Sequence, residues 1–302
     1  MSHIRSYLIS FAFLFSATYV ISNGIMTTKA SNPSIEEIQP RQEIKSIKNE
    51  IVKGEKEVSM IINDNKRTTI TKKETLSSTS FENLPQIIIY HSHNRESWIT
   101  ELDNIKTADE AFDEKLNVTL LGSYLRNKLL SSEIPVIHSK IDYPTRINNF
   151  NYAKSYSYSK KTIIQELKMH ENTKYLLDLH RDSQNRDKTT IQYKNQNYAQ
   201  VYFVVGTDHL NWEKNMKFAS RIQEGLNKKV PNLSKGIYQK DKTSGNGEYN
   251  QSLSSNSALI EIGGVENSLE ESYRTIEVLA AVIQDIWLED SSRSSKNSSP
   301  SI

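Results

Sequence analysis

The chain has 302 residues, and its 36% hydrophobic and 25% charged residues suit one folded domain of ordinary size with polar extensions. The formal net charge is only +2, which argues against a dedicated nucleic-acid binder, because such proteins carry a concentrated basic excess. Cysteine is absent, which excludes disulfides, thiolate metal sites and cysteine nucleophiles. Any metal ligands must therefore come from His, Asp or Glu.

The first element in chain order is an apolar N-terminal segment, which predicts a membrane span. Residues 6–28 contain no charge, and this length is sufficient to cross roughly 30 Å of hydrocarbon as a helix. The alternative is a cleaved signal peptide, with residues 16–18 or 22–24 as weak small-residue sites. Arg5, on the short arm before the segment, favours a cytoplasmic N-terminus. We favour an anchor over residues 1–26 in the cell membrane, with the rest of the chain outside the cytoplasm.

A polar stretch over residues 27–84 follows, rich in Lys, Glu, Ser, Thr and Asn. Nothing in it sustains a wide apolar stripe, so it predicts a stalk or linker. The folded catalytic domain is expected over residues 85–289. The Ser-rich residues 290–302 are expected to form a disordered tail.

Within the folded body, strands are expected to alternate with helices. The expected strands are residues 86–90, 134–137, 174–179, 199–205 and 257–262, and the expected helices are residues 116–130, 152–170, 210–226 and 268–288. The first of these strands is a continuous apolar run, as in the buried strands of parallel sheets. The pattern predicts an α/β fold with a mainly parallel sheet flanked by helices. In such sheets, ligands bind at the carboxyl ends of the strands.

Side chains that can bind a metal follow two of these strands. His91, His93 and Glu96 come directly after the first strand, and His180 follows the third. A catalytic zinc takes three protein ligands and keeps a fourth position for water. His93 and Glu96, three residues apart on a turn, can face one ion, and His180 completes the set. We assign His91 to the wall of the site, where it would contact substrate or support a ligand.

Glu261 is a carboxylate inside an apolar strand. Such a position costs free energy unless the carboxylate is paired or functional. One interpretation is an ion pair with Arg181; the other is a general base and acid whose pKa is raised toward neutrality by burial. We prefer the catalytic role, because the chain has neither a Gly-rich phosphate loop nor a Gly-x-Ser-x-Gly motif. Arg181 would then stabilise a developing oxyanion, or pair structurally with Asp182 or Glu266.

Four motifs in this order are similar to those of one protein family. They are residues 90–97 (YHSHNRES), 177–182 (LDLHRD), 249–253 (YNQSL) and 261–267 (EIGGVEN). The chain resembles the stage II sporulation protein P family of endospore-forming bacteria over about residues 86–288. The apolar segment and the stalk that precede this region also match the family pattern.

That resemblance implies a zinc-dependent N-acetylmuramoyl-L-alanine amidase that degrades peptidoglycan during engulfment of the forespore, with some members also acting on peptide cross-links. It further implies two partners, a lytic transglycosylase (stage II sporulation protein D) and a membrane protein (stage II sporulation protein M). By resemblance, His93 and His180 are metal ligands and Glu261 is the catalytic glutamate. Similarity to the first ligand pair of zinc carboxypeptidases favours Glu96 as the carboxylate ligand. In the wider amidase group this carboxylate precedes the next helix, which would make it Glu114 here.

Several other residues are open to two interpretations. Asn250 and Gln251 either contact glycan or stem peptide, or cap a loop. Three tyrosines, Tyr152, Tyr156 and Tyr158, either form a sugar-stacking strip or pack as part of a helix. Two functions compete with the amidase. One is a zinc carboxypeptidase or endopeptidase of the wall that uses the same metal site, and the other is a non-catalytic wall-binding scaffold.

Overall fold

A computed structural model describes residues 86–297, with side chains through residue 293. The strands are β1 (Gln86–Tyr90), β2 (Val136–His138), β3 (Thr173–Asp182), β4 (Thr190–Tyr193), β5 (Gln196–Ala199), β6 (Val201–Gly206), β7 (Ser234–Lys240) and β8 (Ser257–Gly264). The helices are α1 (Thr119–Ser131), α2 (Tyr143–Arg146), α3 (Ser155–Met169), α4 (Arg186–Thr189), α5 (Trp212–Lys229) and α6 (Leu269–Asn297). Single 3-10 turns lie at Ile99–Glu101, Tyr152–Lys154 and Gln251–Leu253.

Six strands form one sheet in the order β2-β1-β3-β8-β6-β7, and β4 pairs with β5 in a separate hairpin. Every neighbouring pair in the large sheet is parallel except β6 and β8, which are antiparallel. The isoleucine run of β1 is buried because helices or loops cover both faces of the central strands. The predicted α/β fold with a mostly parallel sheet flanked by helices is therefore confirmed.

The two faces of the sheet are covered differently. Apolar side chains of α1, α5 and α6 pack on one face and form the main core, with members such as Leu125, Ile222 and Ile283. On the other face, α3 packs through Ile163 mainly against β1 and β3. Over β8 and β6 the same face carries the side chains of Tyr202, Val204, Leu259 and Glu261, with aromatic rings in place of a helix above them. We refer to these four residues as the open face.

The hairpin β4–β5 and the edge strand β7 lie outside the elements expected from sequence. The hairpin residues are mostly polar, and its turn is made by Lys194 and Asn195, both with positive φ, so no Gly marks it. Strand β7 has one neighbour only, and its sequence SKGIYQK lacks the apolar run of a central strand.

The closing helix also differs in length from the expectation, because α6 continues to Asn297, past residue 289. Adding residues to a helix that is already nucleated costs little, even where the sequence is polar. The expected anchor over residues 1–26 and the stalk over 27–84 lie outside the described residues. Between residues 86 and 297, none of the helices combines the length and apolarity that a membrane crossing needs.

Candidate active site

A compact group of three possible metal ligands lies where β1 and β3 end side by side. His93 Nδ1 is 3.0 Å from one oxygen of the Glu96 carboxylate, and His180 Nδ1 is 3.2 Å from the other. The ligand atoms of the three residues all lie within 4.8 Å of one another, the one such group among residues 86–297. Two imidazoles and a carboxylate match the donor set of a catalytic zinc, so the residues present fit the ion. The structure therefore brings together His93, Glu96 and His180.

The electrostatics of this group favour a cation. Burial alone would lower the pKa of His180, but the carboxylates of Asp178 and Glu96 raise it well above its usual value. Burial would likewise raise the pKa of Glu96, but the imidazoles of His180 and His93 lower it well below the usual range. In the metal-free protein, a proton on His180 thus supplies the positive charge between two carboxylates. A metal ion would have to displace that proton, which makes metal affinity increase with pH.

Asp178 is a supporting residue that the sequence analysis did not single out. Its Oδ1 lies 3.0 Å from His180 Nε2, an ion-pair contact whose angle falls outside that of a hydrogen bond. The carboxylate is fixed by the backbone N–H of Ser92 (2.9 Å) and by the Ser92 hydroxyl (2.6 Å). A carboxylate behind a ligand histidine orients the ring and increases its basicity. The Asp-x-His pattern, which places both side chains on one face of β3, was the available signal.

Glu261 lies beside His180 in the register between β8 and β3, so both side chains are on the same face of the sheet. Its Oε2 is buried and accepts no hydrogen bond from any residue in 86–297. Burial is the largest cause that raises the pKa of Glu261 to about 8, and the nearby Glu96 carboxylate raises it further. An unpartnered carboxyl group with a near-neutral pKa beside a metal group is suited to proton transfer.

A cleft of about 510 Å³ runs from the metal group across the open face. Its floor is the open face itself, and its walls are formed by loops that follow β1, β3 and β7. The remaining lining residues include Phe112, Tyr152, Tyr156, Arg181, Tyr249 and Lys240. The site is thus built on the uncovered part of the sheet face as well as at the ends of the strands.

The three tyrosines of the helical segment divide between two environments. Tyr152, 47% exposed, stacks on the His93 imidazole with ring centroids 4.4 Å apart, and its hydroxyl donates to Glu96 Oε1 at 3.3 Å. Tyr156 also lines the cleft and meets Tyr249 edge to face at 5.2 Å. Tyr158 instead stacks on Tyr143, away from the cleft. Two of the three are therefore placed to contact a ligand, and the third has a packing role.

Arg181 lines the cleft, but its guanidinium is held by backbone carbonyls. Nε donates to Ser97 O at 2.7 Å, and Nη2 donates to Ala108 O and Ala111 O at 3.1 and 2.9 Å. Among the described residues it forms no ion pair with Glu261, Asp182 or Glu266. The side chain therefore braces the loop over residues 97–111, which forms one wall of the cleft.

His91 does not reach the cleft, contrary to its assignment as a substrate contact. Its buried ring donates through Nδ1 to Leu179 O at 2.9 Å, and its Nε2 lies 2.8 Å from His138 Nε2. Burial lowers the pKa of His91 to about 4, so the ring is neutral. The His91 side chain follows the alternation of β1 and points to the sheet face on which α1 packs. Gly122 of α1 leaves room there for the imidazoles of His91 and His138.

Asn250 and Gln251 are also buried and face away from the cleft. Asn250 Nδ2 donates to Ser159 Oγ at 2.8 Å. Gln251 accepts from the backbone N–H of Gly206 at 2.9 Å and donates to Val204 O at 2.7 Å. These amides tie the 3-10 segment to α3 and to the end of β6, and Asn250 makes no side-chain cap hydrogen bond. The structure therefore places them neither at a substrate contact nor in a loop cap.

Glu114, the alternative carboxylate ligand, lies outside the metal group. Its side chain is 65% exposed and is 4.0 Å from Arg95. Glu96 instead is buried, and its Oε2 also accepts the backbone N–H of Arg181 at 3.1 Å. This contact ties the carboxylate to the end of β3.

Several solved structures superimpose on this chain, with low TM-scores and low sequence identity. The N-acetylmuramoyl-L-alanine amidase from Clostridium difficile 630 superimposes with a TM-score of 0.40 and 15% identity, covering 67% of this chain and 96% of that one. A metallo-carboxypeptidase from Burkholderia cenocepacia superimposes with a TM-score of 0.43 and 10% identity, covering 71% of this chain and 59% of that one. These values are too low to transfer the role of any residue.

Sequence identity to one other protein is much higher than to these solved structures. The Stage II sporulation protein P of Bacillus subtilis (strain 168) is 36% identical over 228 residues, which are 72% of this chain and 57% of that protein. The chain thus spans less than two thirds of that relative's length. The family model described as Stage II sporulation protein P (SpoIIP) matches residues 9–284, nearly the whole sequence. The chain therefore belongs to the stage II sporulation protein P family.

Proposed function

We propose that this protein is a zinc-dependent peptidoglycan hydrolase that cleaves the amide between N-acetylmuramic acid and L-alanine. The observation that carries the proposal is that Glu261, His93 and Glu96 line one cleft while His180, buried beside them, completes the metal group. Membership of a sporulation family supports a substrate in the cell wall.

His93, Glu96 and His180 would hold the ion. In such a site zinc supplies polarisation of a carbonyl oxygen and acidification of a water molecule. Glu261 accepts a proton from the attacking water and returns it to the nitrogen of the leaving amine. A nearby divalent ion favours the ionised carboxylate that accepts the proton, whereas burial favours the protonated form that returns it. Arg181, on the cleft wall, would add positive potential near the amide oxygen as negative charge develops there.

The position of the enzyme in the cell is a part of the same proposal. An anchor over residues 1–26 and a stalk over 27–84 would hold the catalytic domain outside the cytoplasm, next to the wall. Action during engulfment would require coordination with glycan cleavage. A lytic transglycosylase (stage II sporulation protein D) and a membrane protein (stage II sporulation protein M) are the partners that we propose on the strength of the family.

The test combines metal content with product analysis on purified sacculi. The full chain, His180→Ala and Glu261→Gln are compared, with His170→Ala as a control that removes a histidine at the end of α3, outside the cleft. We expect His180→Ala to lose zinc and activity together. Glu261→Gln should keep its zinc and lose turnover by about 10²- to 10⁴-fold, while His170→Ala keeps both.

Mass analysis of the products separates the candidate reactions. An amidase releases stem peptides with a free L-alanine amino group and leaves intact glycan. An endopeptidase would instead release peptides that are cut at the cross-links. Full activity in Glu261→Gln would refute the catalytic role, and full activity in zinc-free protein would refute the metal-dependent mechanism.

A further inference from the structure

The open face continues beyond the cleft floor onto the edge strand β7. In the register between β6 and β7, Tyr238 lies beside Val204 and Lys240 lies beside Gly206. Residues in register on neighbouring strands project from the same face of a sheet. The Tyr238 ring accordingly meets Tyr202 edge to face at a centroid distance of 5.0 Å. Lys240 therefore lines the end of the cleft away from the metal group, and Tyr238 lies next to it on the same face, just outside the cleft lining. We refer to these two residues as the β7 subsite.

Lys240 lines the cleft and is half-buried, yet it has no ion-pair or hydrogen-bond partner for its ammonium group within residues 86–297. The nearby carboxylates are committed elsewhere. Asp208 and Asp241 accept hydrogen bonds from the loop that follows β7, and Glu248 pairs with Lys160 at 2.6 Å. A cation in a cleft without a counter-ion is available to an anionic group of the ligand.

Tyr238 gives the β7 subsite a second property. Its ring is 46% exposed, although a large aromatic side chain is usually buried. An exposed ring next to an unpartnered ammonium group fits a ligand that carries an apolar surface beside a carboxylate. The other cleft cation, Arg181, is already bound to carbonyl groups, so Lys240 is the better candidate to recognise such a carboxylate.

We propose that the β7 subsite binds a free carboxylate of the peptidoglycan stem peptide, with Lys240 as the determinant of specificity. This inference rests on the proposed function. The amide to be cleaved joins an uncharged part of the glycan to a peptide that carries carboxylates. The stem peptide therefore lies along β6 and β7, and the glycan lies at the opposite end of the cleft, where Tyr152 and Phe112 are exposed.

The test uses two soluble muropeptides that differ only in whether the stem-peptide carboxylates are free or amidated. Hydrolysis is measured with the full chain, Lys240→Met and Lys240→Arg. The matched control is Lys235→Met, since Lys235 lies on the same strand but donates to the carbonyl of Lys188 and does not line the cleft. Binding of both muropeptides to each protein is measured in parallel by calorimetry.

We expect the unmodified chain to prefer the free acid by about five- to tenfold, through KM rather than kcat, as suits a half-exposed charged contact. Lys240→Met should lose the preference, and Lys240→Arg and Lys235→Met should keep it. An unmodified chain without preference, or a Lys240→Met that retains it, would overturn the subsite. If neither muropeptide is hydrolysed but the free acid still binds more tightly in a Lys240-dependent way, the proposed reaction fails and the subsite stands.

Discussion

Replacing Glu261 by Gln should stabilise the metal-free protein at alkaline pH. Oε2 of this carboxyl group is buried without a hydrogen-bond partner among residues 86–297, and burial raises its pKa to about 8 from the ordinary value of 4.5. The folded protein therefore binds this proton more tightly than the unfolded chain does. The contribution to stability is fully present below pH 4.5 and is lost as the pH rises through about 8.

The magnitude follows from the two pKa values. Each pH unit between them corresponds to about 1.4 kcal/mol, so the fully ionised carboxylate costs the folded protein about 5 kcal/mol. At pH 6 the folded protein has already lost about 2 kcal/mol of the stability that it has below pH 4.5, because the unfolded chain has released this proton and the folded protein has not. Between pH 6 and pH 9 the unmodified protein should thus lose about 3 kcal/mol relative to Glu261→Gln, whose amide does not titrate.

The assay is thermal unfolding of chelator-treated protein at pH 6 and pH 9. A difference of about 3 kcal/mol corresponds to roughly 6–12 °C in melting temperature. The gap between the melting temperatures of Glu261→Gln and the unmodified protein should therefore be wider by this amount at pH 9 than at pH 6. Saturation with zinc should remove most of the effect, because a nearby divalent cation favours the ionised carboxylate. Glu277→Gln is the control, since the pKa of Glu277 is lowered and its removal should not stabilise the protein.

Parallel pH dependence in the unmodified protein and Glu261→Gln would refute the reasoning. It would mean that Glu261 is solvated or paired in solution. A raised pKa could then no longer support its role as the proton carrier.

Two further predictions concern the support of the site. Gly122→Ala should lower the free energy of unfolding by about 1–3 kcal/mol in urea titrations, because the new methyl group collides with the buried rings of His91 and His138; an unchanged midpoint would contradict this. Asp142→Asn should cost less than about 1 kcal/mol above pH 4, since its pair with Arg95 is partly exposed. That cost should vanish as the pH falls through about 2, the pKa to which Arg95 chiefly lowers Asp142.

Much of the metal group could be predicted because its signals are local. The apolar run of β1 and the leucines of β3 identify two buried strands, and the residues that follow each strand must share one edge if the strands are parallel neighbours. His93 and Glu96 on one turn then meet His180 without any long-range information. The sequence analysis did not use the spacing of Asp178 and His180, which places both side chains on one face of β3, and so did not identify Asp178 as a support.

The predicted site residues that the structure places outside the cleft have partners distant in sequence. Gln251 looks like an exposed loop amide, yet it bonds to the backbone of Val204 and Gly206, more than 40 residues earlier. His91 and His93 are both histidines that follow β1, so the residue type alone does not show which of them faces the cleft. His91 continues the alternation of β1 toward α1, where it meets His138, whereas the turn after β1 carries His93 to the cleft.

The least predictable feature is that β6 runs antiparallel to β8. This direction determines the shape of the site, because it affects where the connecting helices lie. Helix α5 connects β6 to β7 and packs in the main core, whereas the connection from β7 to β8 has only a 3-10 turn. No α-helix of this connection therefore covers the face that carries Glu261 and Tyr202, and the rings of Tyr156 and Tyr249 lie there instead. These rings exclude water from the Glu261 carboxyl group and leave a cleft beside it. The lack of an α-helix between β7 and β8 therefore accounts for both the raised pKa of Glu261 and its access to substrate.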